Sequence, residues 1–209
     1  MTAKFHARNR CKTFDQTKKM QETIKNRIPI HVDLAPNRDE VYSGICLKSN
    51  ENIFVFICFN DETKEFDGFA IIRNFEIDKY REWDEEELSE IKNNNYAEFI
   101  GKLPLERMNN MSECLSELEN EELIAIFTET DDDSYFVGQI KNLTENEAEL
   151  KLMNEDAEWT GNEKIKIAEI TYIGFRTSIE KELLNKNVLQ QCITAITADS
   201  TTSESTRNC

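Results

Sequence analysis

The pattern of hydrophobic and polar positions in residues 41–77 returns about ninety residues later, in residues 135–170. Gly138 and Asn154 repeat Gly44 and Asn60 at a spacing of 94 residues. The loop 61–67 is one residue longer than its counterpart 155–160. Beyond it the spacing is 93 residues, for the pairs Gly68/Gly161, Glu76/Glu169 and Ile77/Ile170. The sequence therefore predicts a duplicated structural unit.

Within each copy, short apolar runs with a period of two predict β-strands. The first alternation consists of Ile28, Ile30, Val32 and Leu34. Further strands are predicted at 41–47, 53–59, 69–73 and 75–80, and their counterparts at 123–128, 135–143, 148–153, 164–167 and 169–173. Helices are predicted at 18–27 and at 107–118. Two more are predicted to begin at Asp84, with Leu88 and Ile91 facing inward, and at Thr177.

Five short strands joined by short loops are typical of a small barrel. The predicted fold is therefore mainly β with flanking helices, as two tandem five-stranded small barrels, each preceded and followed by a short helix. The Ser/Thr-rich end of the chain has no hydrophobic face, which predicts disorder there. The predicted segments are a basic, partly disordered arm at 1–17, a first repeat at 18–92, a linker at 93–106, a second repeat with a closing helix at 107–196, and a disordered tail at 197–209.

A leading helix, five strands, a glycine in the second strand (Gly44 and Gly138) and a nearly unbroken passage from the fourth strand to the fifth resemble the Sm-like small barrel, one of the SH3-like barrels. In that family the glycine allows a long strand to bend sharply. Residues 71–77 resemble the family's second motif, whose Arg-Gly step lines an RNA site; Arg73 matches, and Asn74 stands in place of glycine. The Asp and Asn of the first motif are missing from both copies. The resemblance implies RNA or nucleotide contacts at Lys48, Asn50, Arg73 and Asn74.

The two copies differ on one face of three strands. Because side chains alternate along a strand, each strand can be divided into two faces. The first copy is apolar on both faces. We call one of them the apolar face; it consists of Ile45, Leu47, Ile53, Val55, Ile57, Phe69 and Ile71. The matching positions of the second copy form the polar face, which consists of Gln139, Lys141, Glu147, Glu149, Lys151, Asn162 and Lys164.

The apolar face needs a cover. Leaving these side chains in water would forfeit on the order of 10 kcal/mol, comparable to the stability of a whole domain. We therefore predict that the apolar face is buried and the polar face is wet. The cover can be internal, from a helix or the other repeat, or the face can be an interface for a partner protein or a second copy.

Charge limits the possible partners. The net charge is −16, yet residues 1–27 carry eight basic and two acidic side chains, a local +6 that leaves −22 on the rest. An acidic body repels phosphate backbones, so nucleic-acid binding is disfavoured except through the basic arm. No apolar run is long enough to span a membrane and no secretory signal is recognisable, so we expect a cytoplasmic protein without membrane contact.

No pattern in the chain indicates catalysis, a cofactor or a metal. The six cysteines form no CxxC or Cys/His ligand pair, so free thiols are expected, and His6 and His31 are the sole histidines. The sequence therefore favours a non-enzymatic interaction module, an adaptor or regulator that acts through protein surfaces and has a protein partner or self-associates. The alternative is an Sm-like RNA or nucleotide-binding protein.

Overall fold

The computed structural model describes residues 14–34, 41–92, 94–128 and 135–204, and within these ranges the side chains of residues 19–192. Its helices are α1 Phe14–Asn26, α2 Glu85–Ser89, α3 Met111–Glu117 and α4 Ser178–Glu204. Its strands are β1 Pro29–Leu34, β2 Val41–Ser49, β3 Ile53–Asn60, β4 Glu65–Arg73, β5 Ile77–Glu82, β6 Ile124–Thr128, β7 Tyr135–Leu143, β8 Glu147–Met153, β9 Trp159–Lys166 and β10 Ile170–Phe175.

All ten strands belong to one antiparallel sheet, in the order β5-β1-β2-β3-β4-β10-β6-β7-β8-β9. The first five positions hold the strands of the first copy, and the last five hold those of the second copy in the same internal order. The halves are joined where β4 pairs with β10, from Ile72 opposite Tyr172 to Phe69 opposite Phe175. The fourth strand of one copy therefore pairs with the fifth strand of the other.

The strand pairing confirms a mainly β fold with flanking helices, but two separate five-stranded barrels are not shown. The reason lies in β4, which is buried at five successive residues, 68–72. A strand covered on both faces and unpaired along one edge would bury unsatisfied backbone groups. Pairing with β10 satisfies them and makes the sheet continuous.

Equivalent pairings recur in the two halves. Gly44 lies opposite Cys58, and Gly138 lies opposite Leu152, the matching residue 94 positions later. A β-bulge follows Cys46 in β2 and Ile140 in β7. A short 3-10 turn separates the last two strands of each copy, at Asn74–Glu76 and Ile167–Glu169. The repeat in the sequence is therefore also a repeat in backbone geometry.

Gly44 and Gly138 are required by close approach of the neighbouring strand. A Cβ atom at Gly44 would overlap the carbonyl oxygen of Ile57, and one at Gly138 would overlap that of Lys151. Gly44 also has a φ of 148°, which L-residues rarely adopt. Both copies thus use a glycine to bring the second and third strands together.

The helices differ from expectation at several points. α1 begins at Phe14 rather than residue 18, and residues 1–13 of the predicted arm lie outside the described residues. α4 continues to Glu204, into the predicted tail, because extending an existing helix costs little per residue. Residues 205–209 lie outside the description. Leu88 was predicted to face inward, yet it is exposed, since α2 is short and held by polar contacts.

The core is divided into three hydrophobic clusters. One lies between α1 and the first copy and contains Met20, Ile30, Phe54, Phe56 and Ile72. A second, the central cluster, combines the apolar face with α3 and the inner residues of the second copy. The third packs Leu183 and Leu184 of α4 near Leu123, Val137 and Met153.

Cys46, Cys58, Cys114 and Cys192, the four described cysteines, form no disulfide with one another. Burial raises the pKa of the Cys114 thiol to about 12 and also raises that of Cys58. Both are therefore protonated near neutral pH and behave as small apolar groups. Among the described helices, none combines the length and apolar character needed to cross a membrane.

Candidate functional site

The structure buries the apolar face, as predicted. All seven residues belong to the central cluster, and the most exposed of them, Leu47, retains 5% of its accessible surface. On the polar face none of the seven residues is buried. The cover is internal: the cluster includes Met108, Met111, Cys114, Leu115 and Leu118 from the chain leading into the second copy. These seven residues are thus not a surface on which a partner could dock in this conformation.

The predicted linker forms part of that cover. Phe99 meets Phe69 edge to face, with ring centroids 5.4 Å apart, and Phe175 stacks on Phe69 at 5.2 Å. The side chain of Asn95 accepts a hydrogen bond from the backbone N–H of Phe66 and donates one to its carbonyl, at 3.0 and 3.1 Å. Asn95 therefore binds to the edge of β4 as a neighbouring strand would.

The residues implied as RNA contacts lie at the ends of β2 and β4 and just beyond them, but the chain already uses their polar groups. Lys48 Nζ donates to the carbonyl of Leu105 at 2.5 Å and to Oδ1 of Asn109 at 2.8 Å. Asn50 Nδ2 donates to the carbonyl of Asn109 at 3.1 Å. Asn52, which the sequence did not single out, donates to the same carbonyl at 3.2 Å. Asn109 thus occupies the space between these side chains.

Arg73 and Asn74 are engaged in the same way. Asn74 Nδ2 donates to the carbonyl of Asn50, and the Arg73 guanidinium donates to the carbonyls of Ile167 and Ile170 in the second copy. Arg73 therefore helps to hold the two halves together. It also borders a cavity of about 420 Å³ formed with α3 and the second copy. The other lining residues are Asn110, Met111, Ser112, Glu145, Asn146, Glu147, Lys166, Ile167 and Ala168.

A hydroxyl, an imidazole and a carboxylate form a hydrogen-bonded chain beside α2. His31 Nδ1 lies 2.7 Å from Ser43 Oγ, and His31 Nε2 lies 3.0 Å from Glu87 Oε1. Glu87 also accepts two hydrogen bonds from Arg81, at 2.6 and 2.8 Å, and one from the backbone N–H of Asp84 at 2.9 Å. The same three groups in this order occur in serine hydrolases.

The surroundings of the Ser43–His31–Glu87 hydrogen bonds favour a structural role over a catalytic one. Ser43 is 7% exposed, and Trp83 stacks on the imidazole with ring centroids 5.2 Å apart, so little room remains for a substrate. Glu87 also closes the capping box of α2 with Asp84. His31 therefore ties α2 to β1 and β2. In the sequence, the spacing of Asp84 and Glu87 indicated the helix cap. The contacts of His31 with Ser43 and Glu87 were not predictable, because these residues are far from it in the sequence.

The edge of β9 is a second feature that the sequence did not reveal. Among the described strands β9 is terminal in the sheet and pairs with β8 alone, and its residues 160–164 are exposed. Its counterpart in the first copy, β4, pairs with β10 along the corresponding edge. A Cβ atom at Gly68 of β4 would collide with the backbone of Phe175–Thr177, whereas a Cβ atom at the matching Gly161 of β9 would meet nothing within 4 Å.

Known proteins offer no direct guide to these features. No protein-family model matches the chain, and neither a curated protein nor a solved structure is significantly similar to it. Among the described residues, no group of three or more His, Cys, Asp or Glu side chains is arranged to hold a metal ion. β5 and β9 are the two terminal strands of the sheet, and β9 is the one whose counterpart strand in the other copy, β4, has a strand paired along the same edge.

We expect Val55→Glu to destabilise the protein by roughly 3–5 kcal/mol, because it would bury an unpaired carboxylate in the central cluster. The matched control is Glu149→Val, at the equivalent position of the wet polar face, where we expect a change within about 0.5 kcal/mol. Urea unfolding followed by circular dichroism measures both. Equal effects of the two substitutions would contradict the assignment of the faces.

The stability contributed by Glu87 should depend on acid pH. Hydrogen bonds from Arg81 and from the Asp84 backbone lower the pKa of Glu87 from 4.5 to about 2. A carboxylate with a lowered folded-state pKa stabilises the fold above its unfolded pKa and loses this contribution as pH falls toward its folded one. We therefore expect the urea midpoint of the wild type to fall more steeply between pH 4.5 and 2 than that of Glu87→Gln. Glu86→Gln should follow the wild type.

Proposed function

We propose that this protein is a non-enzymatic interaction module that binds a protein partner along the open edge of β9. The observation that supports this most directly is the comparison between the copies: the strand equivalent to β9 pairs with another strand along the same edge. An exposed edge presents backbone donors and acceptors that an added strand can satisfy. The proposed docking mode is therefore strand addition.

The side chains of β9 favour a polar docking strand. Asn162, Glu163 and Lys164 are exposed, whereas the matching residues of β4 are Phe69, Ala70 and Ile71. Ile165 is buried and would lie beside the arriving strand. Backbone hydrogen bonds would supply most of the affinity, and the alternating charges of β9 would supply selectivity.

We also interpret each half of the sheet as an Sm-like small barrel. The matching strand order, the two second-strand glycines and the short turn before each fifth strand support this interpretation. The asymmetry between the faces then gives the copies separate roles. The first copy contributes its second face to the core, and the second copy keeps its polar face and its edge available.

RNA or nucleotide binding is the second candidate function. It is favoured by the grouping of Lys48, Asn50, Arg73 and Asn74 next to Phe75, a residue that is 61% exposed and whose ring centroid lies 5.9 Å from the Arg73 guanidinium. Against it, Lys48 and Asn50 already bind Asn109, and Arg73 binds the second copy. A nucleic acid would have to displace these contacts and approach an acidic body.

Site-specific photo-crosslinking in cells tests the strand-addition proposal. A photoreactive residue at Asn162, on the open edge, should give a discrete covalent adduct with a protein, whether another protein or a second copy. The same residue at Lys141, which is exposed on the polar face but lies in the interior of the sheet, is the matched control and should give none. An Asn162 variant that yields no adduct, or adducts equal to those of the control, would refute the use of this edge.

RNA titrations at several salt concentrations test the second candidate. We expect dissociation constants no tighter than about 1 μM at physiological salt, as for non-specific binding, because the acidic body opposes phosphate contacts. Asn109→Ala removes the side-chain oxygen that accepts a hydrogen bond from Lys48, so it should tighten binding if Lys48 forms part of an RNA site. Submicromolar binding that survives deletion of residues 1–19 and weakens with Arg73→Ala would favour the RNA function over the interaction module.

A further inference from the structure

The pairing of β10 with β4 provides a register for a strand added to β9. Tyr172, Ile173, Gly174 and Phe175 lie opposite Ile72, Ile71, Ala70 and Phe69. The matching residues of β9, which are fixed by the equivalent pairings of β4 with β3 and of β9 with β8, are Ile165, Lys164, Glu163 and Asn162. A strand that joined β9 in this register would therefore place its first residue opposite Ile165 and its third opposite Glu163.

The sequence of β9 itself fits that register. Trp159, Thr160 and Gly161 reproduce the order of an aromatic, a β-branched residue and a glycine seen in Tyr172, Ile173 and Gly174. Placed there, Thr160 of a second copy lies opposite Lys164 and Gly161 opposite Glu163, whereas a β-bulge between Gly161 and Trp159 puts Trp159 on the same face as Lys151 and away from Ile165. Asn162 then lies opposite its own equivalent, so the arrangement is symmetric about a two-fold axis.

We propose that two copies of this chain associate by antiparallel pairing of β9 with β9, centred on Asn162. This inference rests on the proposed use of the β9 edge and names its partner. Opposite residues then share a face of the sheet, as antiparallel pairing demands. No like charges are directly opposed, since Lys164 meets a threonine and Glu163 meets a glycine. The two-fold contact satisfies both edges at once and closes the assembly.

The register also explains the position of Gly161. In the first copy, the backbone of Phe175–Thr177 approaches Gly68 so closely that a Cβ atom would collide with it. In the proposed dimer, residues 162–164 of the second copy take the place of 175–177 beside Gly161. The open space next to Gly161 is therefore the space that the second copy fills.

The other terminal strand of the sheet, β5, is a poorer occupant. In the same register it would place Lys79 opposite the buried Ile165 and Tyr80 opposite Lys164. Arg81 would face Glu163, but its guanidinium already binds both oxygens of Glu87. Pairing of β9 with β5 would also be head-to-tail, which generates rings or filaments rather than a closed dimer.

Light scattering coupled to size exclusion, across a range of protein concentrations, tests the dimer. The wild type should have twice the 24.4 kDa mass of one chain. Thr160→Lys places a lysine opposite Lys164 on both sides of the two-fold axis, so it should raise the dimer dissociation constant roughly tenfold. The double variant Thr160→Lys/Lys164→Glu restores opposite charges and should recover the wild-type constant.

Lys141→Glu, on the polar face away from the edge, should leave the mass unchanged, and thermal melts should show that every variant is folded. A monomeric wild type, a dimer indifferent to Thr160→Lys, or masses that keep growing with concentration would each overturn the β9–β9 pairing. If the wild type is monomeric while a photoreactive residue at Asn162 captures a different protein, strand addition at β9 stands and the second copy is excluded. If neither association occurs, both proposals fail.

Discussion

Burial of the apolar face in the central cluster is the constraint on which the rest of the structure depends. The strands of the first copy are apolar on both faces, so they must form the middle layer of the molecule. One face packs against α1 and the other against α3, the preceding linker and the second copy. At about 25 cal/mol per Å², an uncovered face would remove most of the stability of the domain. The halves therefore cannot separate without exposing it.

This constraint gives residues 94–118 a structural role that a linker seldom has. Tyr96, Phe99, Leu103 and Leu105 pack on the central cluster, and Asn109 is held by the loops of the first copy. The helical elements here are short, Asn95–Glu98, Leu105–Arg107 and α3, so side-chain contacts help to fix the path of the chain. The side-chain amide of Asn95, which hydrogen-bonds to the backbone of Phe66, likewise fixes the chain against the edge of β4.

The sequence predicted the features that depend on local periodicity. Alternation along the strands located nearly every strand, and comparison of Val55 with Glu149 correctly separated a buried face from a wet one. Periodicity does not show which strand lies beside which, because Phe69 opposite Phe175 and Ile71 opposite Ile173 would look the same in a closed barrel. The continuous sheet was therefore not predictable. The Ser43–His31–Glu87 chain was missed for a related reason, since its members come from three separate elements.

The asymmetry between the copies also accounts for the difference between β10 and β9, the two outer strands of the second copy. β10 is shielded because β4 pairs with it, and this pairing accompanies burial of Phe69 and Ile71 in the central cluster. β9 has Asn162 and Lys164 at the matching positions, and in the described part of the chain no strand or linker is held beside it by an apolar surface. The polar residues that keep the polar face in contact with water thus also leave the edge of β9 open. The backbone groups of such an edge can be satisfied by hydrogen bonds to an added strand. Because β9 is polar, its edge can stay exposed to water in the free protein, whereas an apolar edge strand could not.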